Sequence, residues 1–276
     1  MRTMTAAEAL SEASVRLRGV AQRPRLEAEI LLAYHLGCER SRLLLRDRES
    51  LEKPEAFFAL VERRRAYEPV EYITREVSFY AEEFFIAPGA LIPRPETEIL
   101  VDEAAALIRE RGYHRIAEIG VGSGAVSVTL ARLFPDLRIV ATDISEEALA
   151  VARENLRRFE LEDRIELRHT SLLEGVEPSA AEMIISNPPY VAERCVLEPN
   201  VADYEPHRAL FAPDEGTRLL KEIVLLARER GVPVLCEMGY DQRGPMERFF
   251  QEEGIGNYRF YRDLAGLDRG FIVMEN

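Results

Sequence analysis

The chain has 276 residues, of which 47% are hydrophobic and 31% charged, with a formal net charge of −13. That length holds two domains or one large α/β domain, and the composition is that of a globular protein with ample core. No run approaches the roughly 18–20 apolar residues that a membrane-spanning helix needs, so no membrane partner is expected. Cys38, Cys195 and Cys236 are scattered with no CxxC, and His35, His114, His169 and His207 lack ligand spacing. This pattern predicts a reducing, cytoplasmic setting with neither disulfide nor metal site. Residues 1–68 carry 13 Lys/Arg against 11 Asp/Glu, which leaves −15 for the remainder. An acidic body argues against direct nucleic-acid binding, where phosphate neutralisation dominates.

In chain order, residues 5–68 read as helices. Leu10, Ala13, Leu17 and Val20 share one face, as do Leu26, Ile30, Leu31 and Tyr34. Pro54 suits the first turn of a helix bearing Phe57, Phe58, Leu60 and Val61. Arg63-Arg64-Arg65 reads as a solvated face of that helix. "VSFYAEEFFIAP" predicts strand, turn, strand, with the turn at Ala81-Glu82-Glu83. In "LIPRPETEILVDEAAALI", Pro93 and Pro95 punctuate entry to a helix that buries Ile99, Leu100, Ala104, Leu107 and Ile108. The expected organisation is a helical domain at 1–68, a hairpin linker at 69–95 and an α/β domain at 96–276.

From residue 112 strand and helix signals alternate, which predicts a doubly wound sheet. The candidate strands are Ile116–Ile119, Arg138–Thr142, Ile165–His169, Glu182–Ser186 and Val232–Glu237. Two more, Tyr258–Tyr261 and Phe271–Met274, leave no room for a helix between them. A closing hairpin is therefore expected, giving one antiparallel strand in a seven-stranded sheet.

"AEIGVGSGAVSVTLA" places Gly120, Gly122 and Gly124 between a strand and a helix. Glycines there let the backbone turn sharply and approach a ligand, beside the free N–H groups of a helix start. Asp143 follows Gly124 by 19 positions, at the tip of the next strand. A carboxylate so placed accepts from both ribose hydroxyls of a nucleoside cofactor. Ser145, with Glu146 and Glu147, caps the following helix. Gly120-x-Gly122-x-x-Ala125 also satisfies the dinucleotide fingerprint, so a nicotinamide dehydrogenase is a rival. The end of the fourth strand separates the two.

There the sequence reads "IISNPPY", Ile184 to Tyr190. Neither proline can donate to a ladder, so the strand must stop. A planar nitrogen awaiting methylation has a delocalised lone pair and two N–H bonds. Two fixed acceptors, the Asn187 side-chain oxygen and the Pro188 carbonyl, can take both hydrogens and aim that nitrogen at a methyl group. Tyr190 offers an aromatic wall. The reactive methyl is the cofactor's, so no strong base is required.

Gly120–Gly124, Asp143 and Asn187–Tyr190 together resemble class I S-adenosylmethionine-dependent methyltransferases acting on planar nitrogens. "EPVEYI", "FYAEEFFIAPGALIPRPETEILVDEA", "NPPYV", "YEPHRALFAPDEG", "LCEMGYDQ" and "RDLAGLDRGFIV" are similar, in order, to the release-factor glutamine methyltransferase family (PrmC/HemK). The resemblance implies N5-methylation of the glutamine in the GGQ motif of class 1 peptide-chain release factors. It implies a Rossmann-like methyltransferase fold behind a small helical bundle that helps engage the release factor. It also implies that Gly120, Val121, Gly122, Ser123 and Gly124 cradle the methionine part of S-adenosylmethionine. Asp143 would hold the ribose, and Asn187 would border both cofactor and substrate. Pro188, Pro189 and Tyr190 would complete the substrate-amide site.

Two departures stand out. Glu118 and Val121 occupy positions where the family often has Asp and Thr, and Ser171 stands where Gly-Asp would put a carboxylate near the adenine amine. Leu172 is then expected to pack near the adenine, with Ser171 a weaker contact. The alternative reading is a nucleic-acid exocyclic-amine methyltransferase, and a nonenzymatic or redox protein reusing the fold is a third.

Overall fold

The computed structural model describes residues 4–275, so the outermost positions of the first and last expected regions, 1–3 and 276, lie outside it. The chain forms two compact units. One comprises Met1–Glu76 with Leu197–Tyr204, the other Val77–Val196 with Glu205–Asn276. The division falls between Glu76 and Val77, inside the expected linker, and the first unit draws a short segment from late in the chain.

The first unit contains helices α1 (Ala6–Arg16), α2 (Pro24–Leu36), α3 (Pro54–Arg65) and α4 (Val70–Thr74). α1 starts in a capping box. Thr5 Oγ1 accepts from the Glu8 amide at 3.2 Å, while the Glu8 carboxylate accepts from the Thr5 amide at 2.9 Å. Leu10, Ala13 and Leu17 are buried as expected. On α2 the buried stripe is Ala28, Leu31 and Leu32, and Tyr34 is exposed, which corrects the predicted face. α2 packs against α1, α3 and α4. The small Ala28 and Ala33 let those neighbours approach, turning the larger Tyr34 outward.

Arg64 is a second correction: it lies on the buried side of α3 with Phe57 and Val61, not on a solvated face. Its Nε donates to Glu27 Oε2 at 2.6 Å and its Nη2 to the Val20 carbonyl at 3.4 Å. The spacing Phe57, Val61, Arg64 is the core stripe of the helix (i, i+4, i+7), and only an acidic partner across the bundle permits a cation there.

β1 (Glu76–Phe79), which apart from its first residue belongs to the second unit, pairs with β2 (Glu82–Phe85) as a hairpin. The turn is Tyr80-Ala81, with φ of +52° and +62°, rather than Ala81-Glu82-Glu83. Two consecutive left-handed residues make the tight turn whose twist matches paired strands, and Phe79 and Phe84 are thereby both turned inward.

α5 (Thr97–Arg111) leads into β3 (Arg115–Ile119), α6 (Ala125–Leu133), β4 (Arg138–Asp143), α7 (Glu146–Arg158), β5 (Ile165–His169) and β6 (Ile184–Ser186). The short strands β7 (Val191–Ala192) and β8 (Phe211–Ala212) pair separately. Helix α8 (Pro199–Ala202) belongs to the segment shared with the first unit, and α9 (His207–Leu210) to the second. α10 (Arg218–Arg230), β9 (Val234–Glu237), α11 (Arg243–Glu252), β10 (Tyr258–Arg262) and β11 (Asp268–Val273) follow.

The main sheet has seven strands in the order β10-β11-β9-β6-β3-β4-β5. β11 runs antiparallel to both neighbours, as expected, while β3–β6 and β9 are mutually parallel. β6 begins two residues later than predicted: the Glu182 side chain accepts from the amides of His114 and Arg115, at 2.8 Å each, so the Arg115 amide leaves the regular ladder, while the Glu182 amide still donates to the Arg115 carbonyl at 2.8 Å. β9 begins after Pro233, which has no N–H to give.

Register places the site. Ile119 of β3 lies opposite both Thr142 of β4 and Ser186 of β6. The next residues on these three central strands are therefore Gly120, Asp143 and Asn187, side by side at the carboxyl edge of the sheet, where ligands gather in open α/β folds.

Candidate active site

The glycine turn is held from both ends. Gly120 and Val121 donate to the Thr142 carbonyl at 2.8 and 2.9 Å, and Gly124 donates to the Val121 carbonyl at 2.8 Å. Gly120, Gly122 and Gly124 have φ of +75°, +55° and +83°, a region that favours glycine. No atom lies within 4 Å of where a Gly122 side chain would begin, so the backbone faces open space. Gly124 is the N-cap of α6, whose first-turn amides have no intrahelical partner.

The Asp143 carboxylate is fixed by two backbone amides. Oδ2 accepts from Gly122 at 3.0 Å and Oδ1 from Ser145 at 2.9 Å. A carboxylate has about four lone-pair sites, so each oxygen keeps one for a ligand hydroxyl. Ser145 caps α7 as predicted, accepting from Ala148 at 3.2 Å.

Below this pair lies Glu118, 2% exposed and bonded by the Ser127 hydroxyl. Burial pushes its carboxyl up to about 8, and the nearby Asp143 charge adds to the rise. Thr142 Oγ1 donates to the Leu172 carbonyl at 2.6 Å, tying the turn after β5 to β4, with Leu172 held at φ +48°. Ser171 is exposed and Leu172 half-buried at the pocket wall.

Gly120, Val121, Gly122, Ser123, Asp143, Ser171, Leu172, Asn187 and Pro189 all line one pocket. Of the predicted site residues, Gly124, Pro188 and Tyr190 are set back from it. Asn187 Nδ2 donates to Thr97 Oγ1 at 3.1 Å. The Tyr190 hydroxyl donates to Glu237 Oε1 at 2.9 Å, and burial and that carboxylate push the phenol well above its ordinary value. Glu237 is 1% exposed, and burial raises its own carboxyl pKa.

Three supporting residues, Asn155, Gln242 and Glu237, escaped sequence reasoning. Asn155, fully buried on α7, donates to the carbonyls of Phe85 and Ser123 at 2.9 and 2.8 Å and accepts from the Phe85 amide at 2.8 Å. It thus stitches the hairpin to the glycine turn. Gln242 donates to the Tyr190 carbonyl at 2.8 Å, fixing the exit of the Asn-Pro-Pro-Tyr run. Glu205, in the stretch Tyr204 to Gly216 that carries part of the resemblance, accepts from the Ile92 amide at 3.1 Å and pairs with Arg94, and so clamps the Ile-Pro-Arg-Pro segment. Arg208, from the same stretch, lines the pocket. Glu237 is the third. Gln242 and Glu237 lie within a quoted stretch and Asn155 lies outside all of them, and no spacing rule singles out a buried polar residue from its neighbours.

Chemically, the pocket offers a carboxylate with two spare acceptor sites, the amides of a helix start and apolar walls. That donor set fits a nucleoside carrying a charged tail. Residues 8–74 match the PrmC N-terminal domain and residues 96–203 the methyltransferase small domain. A release factor glutamine methyltransferase of Koribacter versatilis is 36% identical, covering 89% of this chain and 89% of that protein. One from Moorella thermoacetica is 36% identical over 98% of both. A bifunctional methyltransferase of Rickettsia typhi is 32% identical over 89% of this chain, which spans 52% of that longer protein. Among solved structures, the N-terminal domain of human METTL16 in complex with SAH superposes with a TM-score of 0.51 at 15% identity, covering 84% of this chain and 86% of that one. At that identity the likeness shows the shared fold alone. Fold, pocket and relatives agree, and the chain belongs to the release factor glutamine methyltransferase family.

Proposed function

We propose that this protein methylates the side-chain amide nitrogen (N5) of the glutamine in the GGQ motif of class 1 peptide-chain release factors. The cofactor is S-adenosylmethionine, which supplies an electrophilic methyl group when bound. The observation that carries the reading is the register that sets Asn187 beside Gly120 and Asp143, with Oδ1 making no hydrogen bond to a described residue.

In this reading Gly120–Gly124 hold the methionine end of the cofactor and Asp143 the ribose. Leu172 and Ser171 border the adenine. The Asn187 Oδ1 and the Pro188 carbonyl take the two N–H hydrogens of the substrate amide. Fixing both hydrogens holds the weakly nucleophilic nitrogen in the attack geometry and removes the rotational freedom it has in water. Pro189 borders the amide, and Tyr190, tied to Glu237, closes the far wall. Residues 1–68 act as the docking domain for the release factor, residues 69–95 as linker and residues 96–276 as the methyltransferase domain. The chain works in the cytoplasm without binding nucleic acid directly. No helix among the described residues is long and apolar enough to cross a membrane.

Incubation with methyl-labelled S-adenosylmethionine, a class 1 release factor and nucleic acid tests the reading. Label is expected on the GGQ glutamine and is expected to disappear with Asn187→Ala, while S-adenosylhomocysteine still binds. Label confined to nucleic acid would overturn the proposal in favour of exocyclic-amine methylation.

A further inference from the structure

Strand order leaves half of the sheet's carboxyl edge without a task. The glycine turn follows β3 and Asp143 ends β4, so the cofactor occupies that side, and Asn187 follows β6. In the order β10-β11-β9-β6-β3-β4-β5, the strands on the other side of Asn187 are β9, β11 and β10. β11 is antiparallel, so the turn that joins it to β10 lies at this same edge. Its Gly270 is paired with Glu237, the last residue of β9. Strands about 4.8 Å apart put that turn roughly 10–15 Å from the end of β6.

The turn, residues 263–267, is built to hold its shape. Asp263 Oδ1 accepts from the Ala265 and Leu267 amides at 2.9 Å each, and Oδ2 accepts from Arg269 Nε at 2.8 Å. The Asp263 amide donates to the Leu267 carbonyl at 2.9 Å. A bulge between Tyr261 and Arg262 bends the strand pair just before the turn, and the Tyr261 hydroxyl anchors that bend on the Cys236 carbonyl at 3.1 Å. What this braced turn presents is apolar. Leu264 is fully exposed and Leu267 is exposed beside it, whereas the surrounding arginines are paired, Arg269 with Asp263 and both Arg243 and Arg262 with Asp268. A lone exposed leucine is ordinary, so the placement decides. The Met238 amide donates to the Arg269 carbonyl at 2.8 Å, one residue past Glu237, which holds Tyr190. Arg269 also approaches Glu96, at the start of α5, at 4.0 Å. The turn is thus continuous with the wall of the substrate site.

A glutamine whose amide sits at Asn187 keeps its Cα within about 5 Å of that point, and extended chain covers about 3.3 Å per residue. Residues only two to four positions from the glutamine can therefore reach the turn. We propose that the β10–β11 turn is a docking surface for the protein substrate, with Leu264 entering an apolar patch of the release factor beside its glutamine-bearing loop. The inference rests on the protein-glutamine reading above. Because its charges are already paired, the turn fits an apolar patch rather than an acidic one. The contact lies away from the cofactor side of Asn187, so it acts on substrate capture and leaves cofactor binding alone.

Leu264→Asp is expected to raise KM for a release factor roughly 10-fold, with kcat at saturation and S-adenosylhomocysteine affinity by calorimetry within about two-fold of wild type. Leu264→Met keeps the apolar bulk and is expected to hold KM within about two-fold. If the aspartate variant fails to fold, the Leu264→Ala and Leu264→Met pair makes the same comparison. An unchanged KM in the variant that deletes the apolar side chain overturns the proposal. So does an equal rise in the methionine variant, or a loss of cofactor affinity. A wild-type dimer that Leu264→Asp dissociates in sedimentation, with KM unchanged, would assign the turn to a second copy of this chain instead. Failure of the underlying reading is distinguishable, because then the wild-type protein places no label on the release factor at all.

Discussion

Replacing Gly216 with alanine tests whether the Asn-Pro-Pro-Tyr run is held as rigidly as its hydrogen bonds imply. A Cβ at Gly216 would sit 1.9 Å from the Tyr190 carbonyl oxygen and 2.5 Å from Gln242 Nε2. Ordinary contacts begin near 3 Å, so the Tyr190 carbonyl would have to retreat by about 1 Å. Neither neighbour can yield cheaply. One is backbone, and the other is a 4%-exposed side chain already bonded to the Tyr190 and Glu215 carbonyls. Backbone strain at φ +84° costs about 1 kcal/mol, and overpacking adds about 1–3 kcal/mol. Weakening a buried hydrogen bond adds about 1 kcal/mol more, for a total near 3–5 kcal/mol. Gly231→Ala supplies the control: its φ is +65° but nothing lies within 4 Å, so strain alone costs about 1 kcal/mol. Urea denaturation of the two variants should therefore differ by about 2–4 kcal/mol. Because a displacement near 1 Å next to a reacting centre costs about 100-fold in rate, kcat should fall in Gly216→Ala and not in Gly231→Ala. Equal stabilities together with unchanged turnover would show that the run is free to move and that its fixed position is not what aims the substrate.

Three further outcomes follow from the same geometry. Glu118 carries a raised folded-state pKa of about 8 against an ordinary 4.5, so it favours folding only while protonated, and wild-type stability should decline as pH rises from about 4.5 to 8. Glu118→Gln removes that decline, worth at most about 5 kcal/mol, and parallel urea curves for the two proteins at pH 5 and 8 would refute it. Arg64→Met leaves the Glu27 carboxylate half-enclosed and unpaired, at a cost of about 3 kcal/mol, and Glu27→Leu in the same protein should restore most of the loss. Simple additivity in that double-mutant cycle would contradict the pairing. Ser171→Asp adds an acceptor at the pocket rim and should tighten S-adenosylhomocysteine binding by about five-fold, roughly 1 kcal/mol, whereas unchanged calorimetric affinity would count against Ser171 bordering the adenine.

The parts of the fold that repeat a period were legible in the sequence. Five parallel strands and the closing antiparallel pair fell within two or three residues of their observed ends, because buried β-strands are runs of branched apolar residues cut off by glycine or proline. What escaped reading depends on partners distant in the chain. Arg64 belongs to a charged triplet, and only Glu27, 37 positions earlier, makes its burial tolerable. The hairpin turn fell on Tyr80-Ala81 because tight pairing outweighed the poor suitability of those residues for positive φ. Gly120, Asp143 and Asn187 could be assigned to one crevice from strand ends alone. Thr97, Glu237 and Gln242 could not, since a buried polar residue shows its purpose only when its partners are in view.

The stretch Leu197–Tyr204 belongs with the first unit although the chain on either side of it belongs to the second. Within the first unit, the Tyr204 hydroxyl donates to the Ala66 carbonyl at 2.6 Å. The very next residue, Glu205, is buried and clamped to Ile92 and Arg94 in the second. Cutting the gene at the hairpin would therefore not yield a clean catalytic half. A fragment starting at Val77 would carry an eight-residue insert stripped of its packing surface, and the helical half alone would lack a piece of its own body. A boundary that leaves each unit whole must therefore also account for the stretch Leu197–Tyr204, which lies far along the chain from the hairpin.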